Sequence, residues 1–284
     1  MRATAIAWLA QPTPAILIEV TQASGSVPRE PGTRMLVSPD ACAGTIGGGH
    51  LERKAIEAAR AMLATHENTP RSAHYPLGPA LGQCCGGAVT LGFSVLDPAA
   101  LARWPDEPPL FALQLYGAGH VGRAIARALA PLNASVDWID ERDDEFPTPF
   151  DHAGSPWPAH IRKVCVDAVE AEVDIAPPGA FYLVLTHRHD LDLKITEAIL
   201  SRGDFGWLGL IGSRTKRQRF VHHFERRGIA PAVIERVTCP IGIPGIEGKQ
   251  PEVIAVAVVA QMLQVAGSRT GRADDALALR PPER

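Results

Sequence analysis

Cysteine is scarce and odd in number: Cys42, Cys84, Cys85, Cys165 and Cys239 are the five in 284 residues. No two of them stand in C-x-x-C spacing. The odd number and the lack of that spacing argue against a disulfide framework and against a closed zinc site, and leave free thiols in a reducing compartment as the expectation. An excess of one charge is also missing. Lys and Arg total 28 against 31 Asp and Glu, for a net charge of −3. Bulk attraction to nucleic acid or to an anionic membrane is therefore not expected. No run approaches the roughly 18 apolar residues of a membrane span. The apolar N-terminal stretch is broken by Gln11, Pro12 and Pro14, and Glu19 lies in the next one, so a secretory signal is not expected and the location reads as cytoplasmic.

What is present is ordinary globular material, 46% hydrophobic and 21% charged. At about 150 residues per domain, two domains are expected. Residues 1–98 read as one domain. Within it, 15–22, 33–39 and 88–97 are strand-like, and 51–64 carries Leu51, Ala55, Ala58, Ala59 and Met62 at helical spacing. Pro98, Pro105, Pro108 and Pro109 mark a linker, set at 99–109. Residues 110–267 alternate strand and helix, which implies a Rossmann-like, doubly wound parallel sheet. The fold class is thus α/β throughout. In this second domain Gly203 is expected to end one helix, Ser213 to cap the next, and Gly228 to follow it. Pro251 should open a long apolar helix that Gly267 closes, with 268–284 a mobile tail.

Several constellations could carry chemistry. "YGAGHVG" places Gly117, Gly119 and Gly122 in G-x-G-x-x-G between an expected strand and helix, and Asp140 follows at the end of the next strand. Such glycines admit a tight turn, a pyrophosphate and close packing, and the acid takes a ribose hydroxyl. Equally, the glycines could serve only turn and packing. "THRHD" puts His187 and His189 at the carboxyl end of a buried strand, where α/β sheets bind ligands. A hydrolytic metal there would need a third ligand, and Leu191 and Asp192 break the H-x-H-x-D-H pattern. Lining of the crevice is the better reading. "GSRTKRQR" sets Ser213, Arg214 and further cations at a helix start, where they oppose the helix dipole. They suit either a bound anion or a solvated face.

In the first domain, "GTIGGGHLE" leaves the N–H groups of Gly47, Gly48 and Gly49 at a helix start, a nest for an anion or simply a sharp turn. "SGSVPREPGTRM" is a rigid loop carrying Arg29, whose guanidinium pairs with phosphate or carboxylate. "LGQCCGG" sets Cys84 and Cys85 beside glycines that let a ligand come close.

Taken in order, "GSVPREPGTRM", "GTIGGGHLE", "CGG", "YGAGHVG", "THRHDLD", "GLIGSRTKR" and "PIGIPGIEGKQPEVIAVAVVAQ" resemble the xanthine dehydrogenase accessory proteins of the XdhC/CoxI type, over residues 16 to 264. The resemblance implies an N-terminal XdhC/CoxI domain before the Rossmann domain. It implies a maturation chaperone rather than an enzyme, which binds the molybdenum cofactor transiently, supports its sulfuration with a cysteine desulfurase and delivers it to apo xanthine dehydrogenase. The molybdopterin form without an appended nucleotide is favoured over the dinucleotide. The family's loop falls on Pro28 and Arg29, its glycines on Gly47, Gly48 and Gly49, and its cysteine motif on Cys85, Gly86 and Gly87. A second thiol, Cys84, stands where the family usually has a small or hydrophobic residue, so either cysteine could act. A thiolate is a soft donor that could contact molybdenum, as expected for Cys85, or carry sulfur as a persulfide. Association of two copies into a homodimer is also expected. The alternative is an NAD-dependent oxidoreductase built on the glycine fingerprint and Asp140.

Overall fold

A computed structural model describes residues 1–77, 86–104, 108–150, 154 and 156–278. Two compact units divide the chain, Met1–Asp106 and Glu107–Arg284. Cys84 and Cys85 lie outside the described residues.

The first unit is built on an antiparallel sheet in the order β3-β2-β1-β5-β4: β1 (Ile16–Ser24), β2 (Arg34–Val37), β3 (Cys42–Gly44), β4 (Arg71–Pro76) and β5 (Ala88–Val95). Alternation along β1 decides its two faces. Ile16, Ile18 and Val20 join Met35, Val37, Val89, Leu91 and Phe93 beneath α2 (Gly49–Ala64), which contributes Leu51, Ala55, Ala59 and Met62. Leu17 and Leu36 belong to a second cluster with Ala5 of α1 (Arg2–Leu9) and with Ala100 and Trp104 of the following segment. The N-terminal apolar stretch is therefore a packed helix. Each Leu or Ile so buried stabilises by about 1.5–3 kcal/mol.

The expected linker begins with structure. Asp97 accepts a 2.6 Å hydrogen bond from the Ala100 amide and caps α3 (Pro98–Ala102), with Pro98 in the first turn. Proline suits that turn because its missing N–H would find no partner there.

The second unit carries a parallel sheet in the order β11-β10-β9-β6-β7-β8: β6 (Ala112–Tyr116), β7 (Ser135–Asp140), β8 (Ile161–Cys165), β9 (Phe181–Val184), β10 (Trp207–Leu210) and β11 (Val237–Thr238). α4 (His120–Leu129) and α8 (Pro251–Ala278) pack on one face through Ile125, Leu129, Val258 and Met262. α5 (His189–Arg202), α6 (Arg214–Arg226) and α7 (Pro231–Ile234) pack on the other through Ile195, Ile199, Phe220, Phe224 and Ile234. This is the doubly wound arrangement, with the strand order reversing between β6 and β9.

Gly203 ends α5 in the left-handed region at φ 78°, and Ser213 caps α6 by accepting from the Lys216 amide at 3.2 Å. Gly267 does not close α8. The helix runs on to Ala278, so the expected tail is helical over 268–278. One glycine costs a helix only about 1 kcal/mol relative to Ala, and "SRTGRADDALA" contains good helix formers. Pro251–Arg269 also proves long and apolar enough, by length and composition, to cross a membrane. Strict run length missed this because Gln261 and Gln264 interrupt a segment whose average is still apolar. Its Ala255, Val258 and Met262 are buried against the sheet.

Candidate functional site

In the first unit three separated segments meet at one end of the sheet. A Cβ on Gly47 would lie 2.6 Å from Pro28 Cγ and 3.8 Å from Arg29 Cγ. Gly87 is so close to residues 24–26 that a Cβ there would collide with the carbonyl oxygens of Ser24 and Ser26, and a Cβ on Gly25 would sit 3.0 Å from Gly87 Cα. The "SGSVPRE" loop thus packs against the triple glycine on one side and against the glycines after the cysteines on the other. Gly48 and Gly86 border open space: a Cβ at either meets nothing within 4 Å.

The glycine nest already holds a carboxylate. Glu52, in the first turn of α2, accepts from the amides of Ile46 at 3.1 Å and Gly48 at 3.0 Å, and from the Thr45 hydroxyl at 2.5 Å. The Thr45 hydroxyl in turn accepts from the Gly47 amide at 3.1 Å. The negative charge favoured at this helix start is the protein's own. An external anion would meet the loop beside Glu52 rather than in its place. An acid a few residues into a helix, reaching back to the amides before it, is a capping signal. It was readable in "GGGHLE".

Arg29 is exposed and, among the described residues, makes no ion pair or hydrogen bond. Arg34, in the same motif, is spent: it pairs with Glu19 at 2.7 Å and lies over the Trp104 ring. The loop's uncommitted guanidinium is therefore Arg29.

In the second unit the strand order reverses between β6 and β9, the place where a doubly wound sheet ordinarily has its ligand crevice. Gly117, at φ 121°, approaches the Leu185 carbonyl so closely that a Cβ would lie 2.5 Å from its oxygen. A Cβ on Gly122 would collide with the Gly117 carbonyl, so this glycine serves packing of helix on turn. Gly119 borders open space. The Trp138 indole donates to the Gly117 carbonyl at 3.0 Å and fixes the turn from beneath.

Asp140 stands at the end of β7 as the fingerprint predicts, but its carboxylate turns inward. Oδ2 accepts from the Ala118 amide at 2.6 Å and from Arg142 Nη2 at 3.0 Å. Oδ1 accepts from the Arg142 amide at 3.0 Å and Nε at 2.9 Å. Burial alone would raise its pKa; the hydrogen bonds from Arg142 and Ala118 outweigh it and hold the acid below the ordinary range. Arg142 reaches Glu145 as well, and Glu145 is paired with Arg123 of α4.

Glu141, just past β7, lies 3.6 Å from Nε2 of His187 and 3.5 Å from Nη1 of Arg188, both in the segment between β9 and α5. His189 opens α5 on the exposed surface. Among the described residues no group of three His, Cys, Asp or Glu side chains could hold a metal ion. Ser213 acts as a helix cap, and Arg214 beside it is exposed. The cations of α6 divide: Lys216 turns inward, donating to Asp192 Oδ2 at 2.5 Å and to the Ile211 carbonyl at 2.8 Å. Asp192 also accepts from the amide and hydroxyl of Thr186, at 2.9 and 2.7 Å. Sequence reasoning counted Lys216 only among the cations at a helix start and Asp192 only as a break in the H-x-H-x-D-H pattern, and it passed over Arg142. Their only signal was that a polar residue stood inside a helical or strand-end pattern.

Residues 113–262 match the XdhC Rossmann domain family, and residues 8–76 match the XdhC and CoxI family. The chain belongs to the XdhC family. It is 31% identical to the uncharacterized protein YqeB of Escherichia coli (strain K12) over 271 residues, 92% of this chain and 45% of that protein. It thus spans less than half the length of this curated relative. Its fold is similar to that of a Bacillus halodurans protein whose crystal structure is described as a xanthine dehydrogenase. The TM-score is 0.71 at 18% identity, covering 94% of this chain and 96% of the other.

Proposed function

We propose that this XdhC-family chain is an accessory protein that binds the molybdenum cofactor through its first unit, supports its sulfuration with a cysteine desulfurase and passes it to apo xanthine dehydrogenase. The observation that carries this reading is that the "SGSVPRE" loop, which bears the uncommitted Arg29, packs against Gly47 of the triple glycine on one side and against Gly87 on the other. Open backbone at Gly48 and Gly86 suits a bulky planar ligand, and Arg29 suits its phosphate. The cofactor would supply the anionic phosphate and the thiophilic metal–sulfur centre that such a donor set recognises. Gly86 directly follows Cys85 in the chain, so a thiol from Cys84 or Cys85 is the soft donor assigned to that centre. The oxidoreductase alternative needs Asp140 for a ribose, and the four hydrogen bonds on that carboxylate count against it.

The test is anaerobic purification from a host that makes the cofactor, with molybdenum measured by elemental analysis and pterin by its oxidised fluorescence. Near-stoichiometric pterin in the wild type is expected, lost in Cys84→Ser or Cys85→Ser and reduced in Arg29→Ala. Absence of pterin from every sample would overturn the reading.

A further inference from the structure

An ionised carboxylate has about four acceptor positions. In Asp140 all four are occupied, one by the Ala118 amide and three by Arg142. A Rossmann crevice ordinarily presents this acid to the ribose diol of NAD, or an arginine nearby to the 2′-phosphate of NADP. Here acid and arginine are bonded to each other, and the pair is braced. The Arg142 Nη1 donates to Glu145 Oε1 at 3.2 Å, while Arg123 of α4 holds the Glu145 carbonyl at 2.9 Å and its carboxylate as well. The Asp140 side chain is 3% exposed and that of Arg142 29%, so the acid is buried and its arginine partner is partly open to solvent.

We propose that Asp140 and Arg142 form a selectivity device that closes this Rossmann crevice to both nicotinamide dinucleotides. A neutral ribose hydroxyl would have to displace a charged guanidinium from a carboxylate, exchanging charge-assisted hydrogen bonds for weaker ones. A 2′-phosphate would have to draw Arg142 off two carboxylates at once. Neither half of the pair is left to recognise a nucleotide while the other is present. This inference is independent of the cargo assigned to the first unit, and it goes further than rejecting the oxidoreductase alternative. It names the residue that keeps a dinucleotide-type fold from taking its usual ligand.

The experiment is calorimetric titration of the full chain with NAD and, separately, NADP. The wild type is expected to bind neither at millimolar concentration. Arg142→Ala frees Asp140 and should gain at least tenfold in affinity for NAD, not for NADP. Asp140→Asn keeps an oxygen for the Ala118 amide but frees Arg142 from one of its two carboxylates, leaving only Glu145, and should gain for NADP rather than NAD. Arg142→Lys cannot hold both carboxylate oxygens in a fork and should show a smaller gain for NAD; it carries the test if Arg142→Ala fails to fold. Micromolar NAD binding by the wild type that weakens in Arg142→Ala would place the pair inside a working nucleotide site and overturn the proposal. Folded arginine variants with no gain for NAD would overturn it equally, since the exclusion would then lie elsewhere.

Discussion

Lys216 and Asp192 form an ion pair inside the second unit, with Nζ 2.5 Å from Oδ2 and side chains 9% and 1% exposed. The two residues lie 24 positions apart in the chain, and the pair joins two motifs, "THRHDLD" and "GLIGSRTKR". Asp192 holds Thr186 at the same time, so the loop carrying His187 is tied to the start of α6.

Replacing Lys216 by Met leaves the Asp192 charge buried without its cation. A loss of about 3–5 kcal/mol is expected in urea denaturation. The double variant Lys216→Met, Asp192→Asn removes the charge while an amide oxygen still serves Thr186. It should recover more than half of that loss, and a double-mutant cycle reads the coupling.

Glu52 is the protein's own ligand for its glycine nest. Glu52→Ala strands the Ile46 and Gly48 amides and the Thr45 hydroxyl, and should destabilise the first unit by about 2–3 kcal/mol. Glu52→Gln keeps an acceptor oxygen in place and should cost less than half as much. Chemical denaturation of the two variants side by side checks the difference.

Two neighbouring glycines should behave oppositely. Gly87→Ala drives a methyl group into the Ser24 and Ser26 carbonyls, whereas Gly86→Ala meets only open space. A large drop in melting temperature is expected for the first and a change within about 0.5 kcal/mol for the second. Equal behaviour would mean that residues 24–26 do not abut this glycine pair.

Asp140 gives stability a sign with pH. Its pKa in the folded chain lies below the ordinary value of about 3.9, so the unfolded chain binds the proton more readily in that window. The contribution is complete above about pH 4 and is lost as pH falls through the depressed value. Asp140→Asn, which does not titrate, should lose stability less steeply on acidification, as followed by the urea midpoint between pH 6 and pH 2.

Much of the second unit was legible because its signals are local and repeated. Apolar strands ended by glycine or acid, the Ser213 cap and the Gly203 stop each have one physical reading. The first unit hid more. β3 and β4 are short edge strands with exposed residues, and such strands lack an apolar alternation to read. α3 hid behind prolines that elsewhere mean irregular chain, although Asp97-Pro98 is also a helix start. The positions of the candidate residues in the fold were readable; the bonds they make were not. The sequence places Asp140 at the end of a strand, but only geometry shows that Arg142, two residues on, claims the carboxylate. Likewise "GGGHLE" offers a nest, and whether Glu52 or an outside anion fills it depends on where α2 begins.

The strand order also sets a timetable for synthesis. β6 is the first strand of its sheet to leave the ribosome and ends in the middle, between β7 and β9. β7 and β8 can pair beside it at once, but its other edge stays open until residues 181–184 are made. An unpaired, apolar edge such as Leu113–Tyr116 is a template for misassociation. The core face under α4 waits longer still, because Val258 and Met262 of α8 close it only after β11 has been made. The nascent second unit is therefore most exposed to aggregation between the completion of β8 and the arrival of α8.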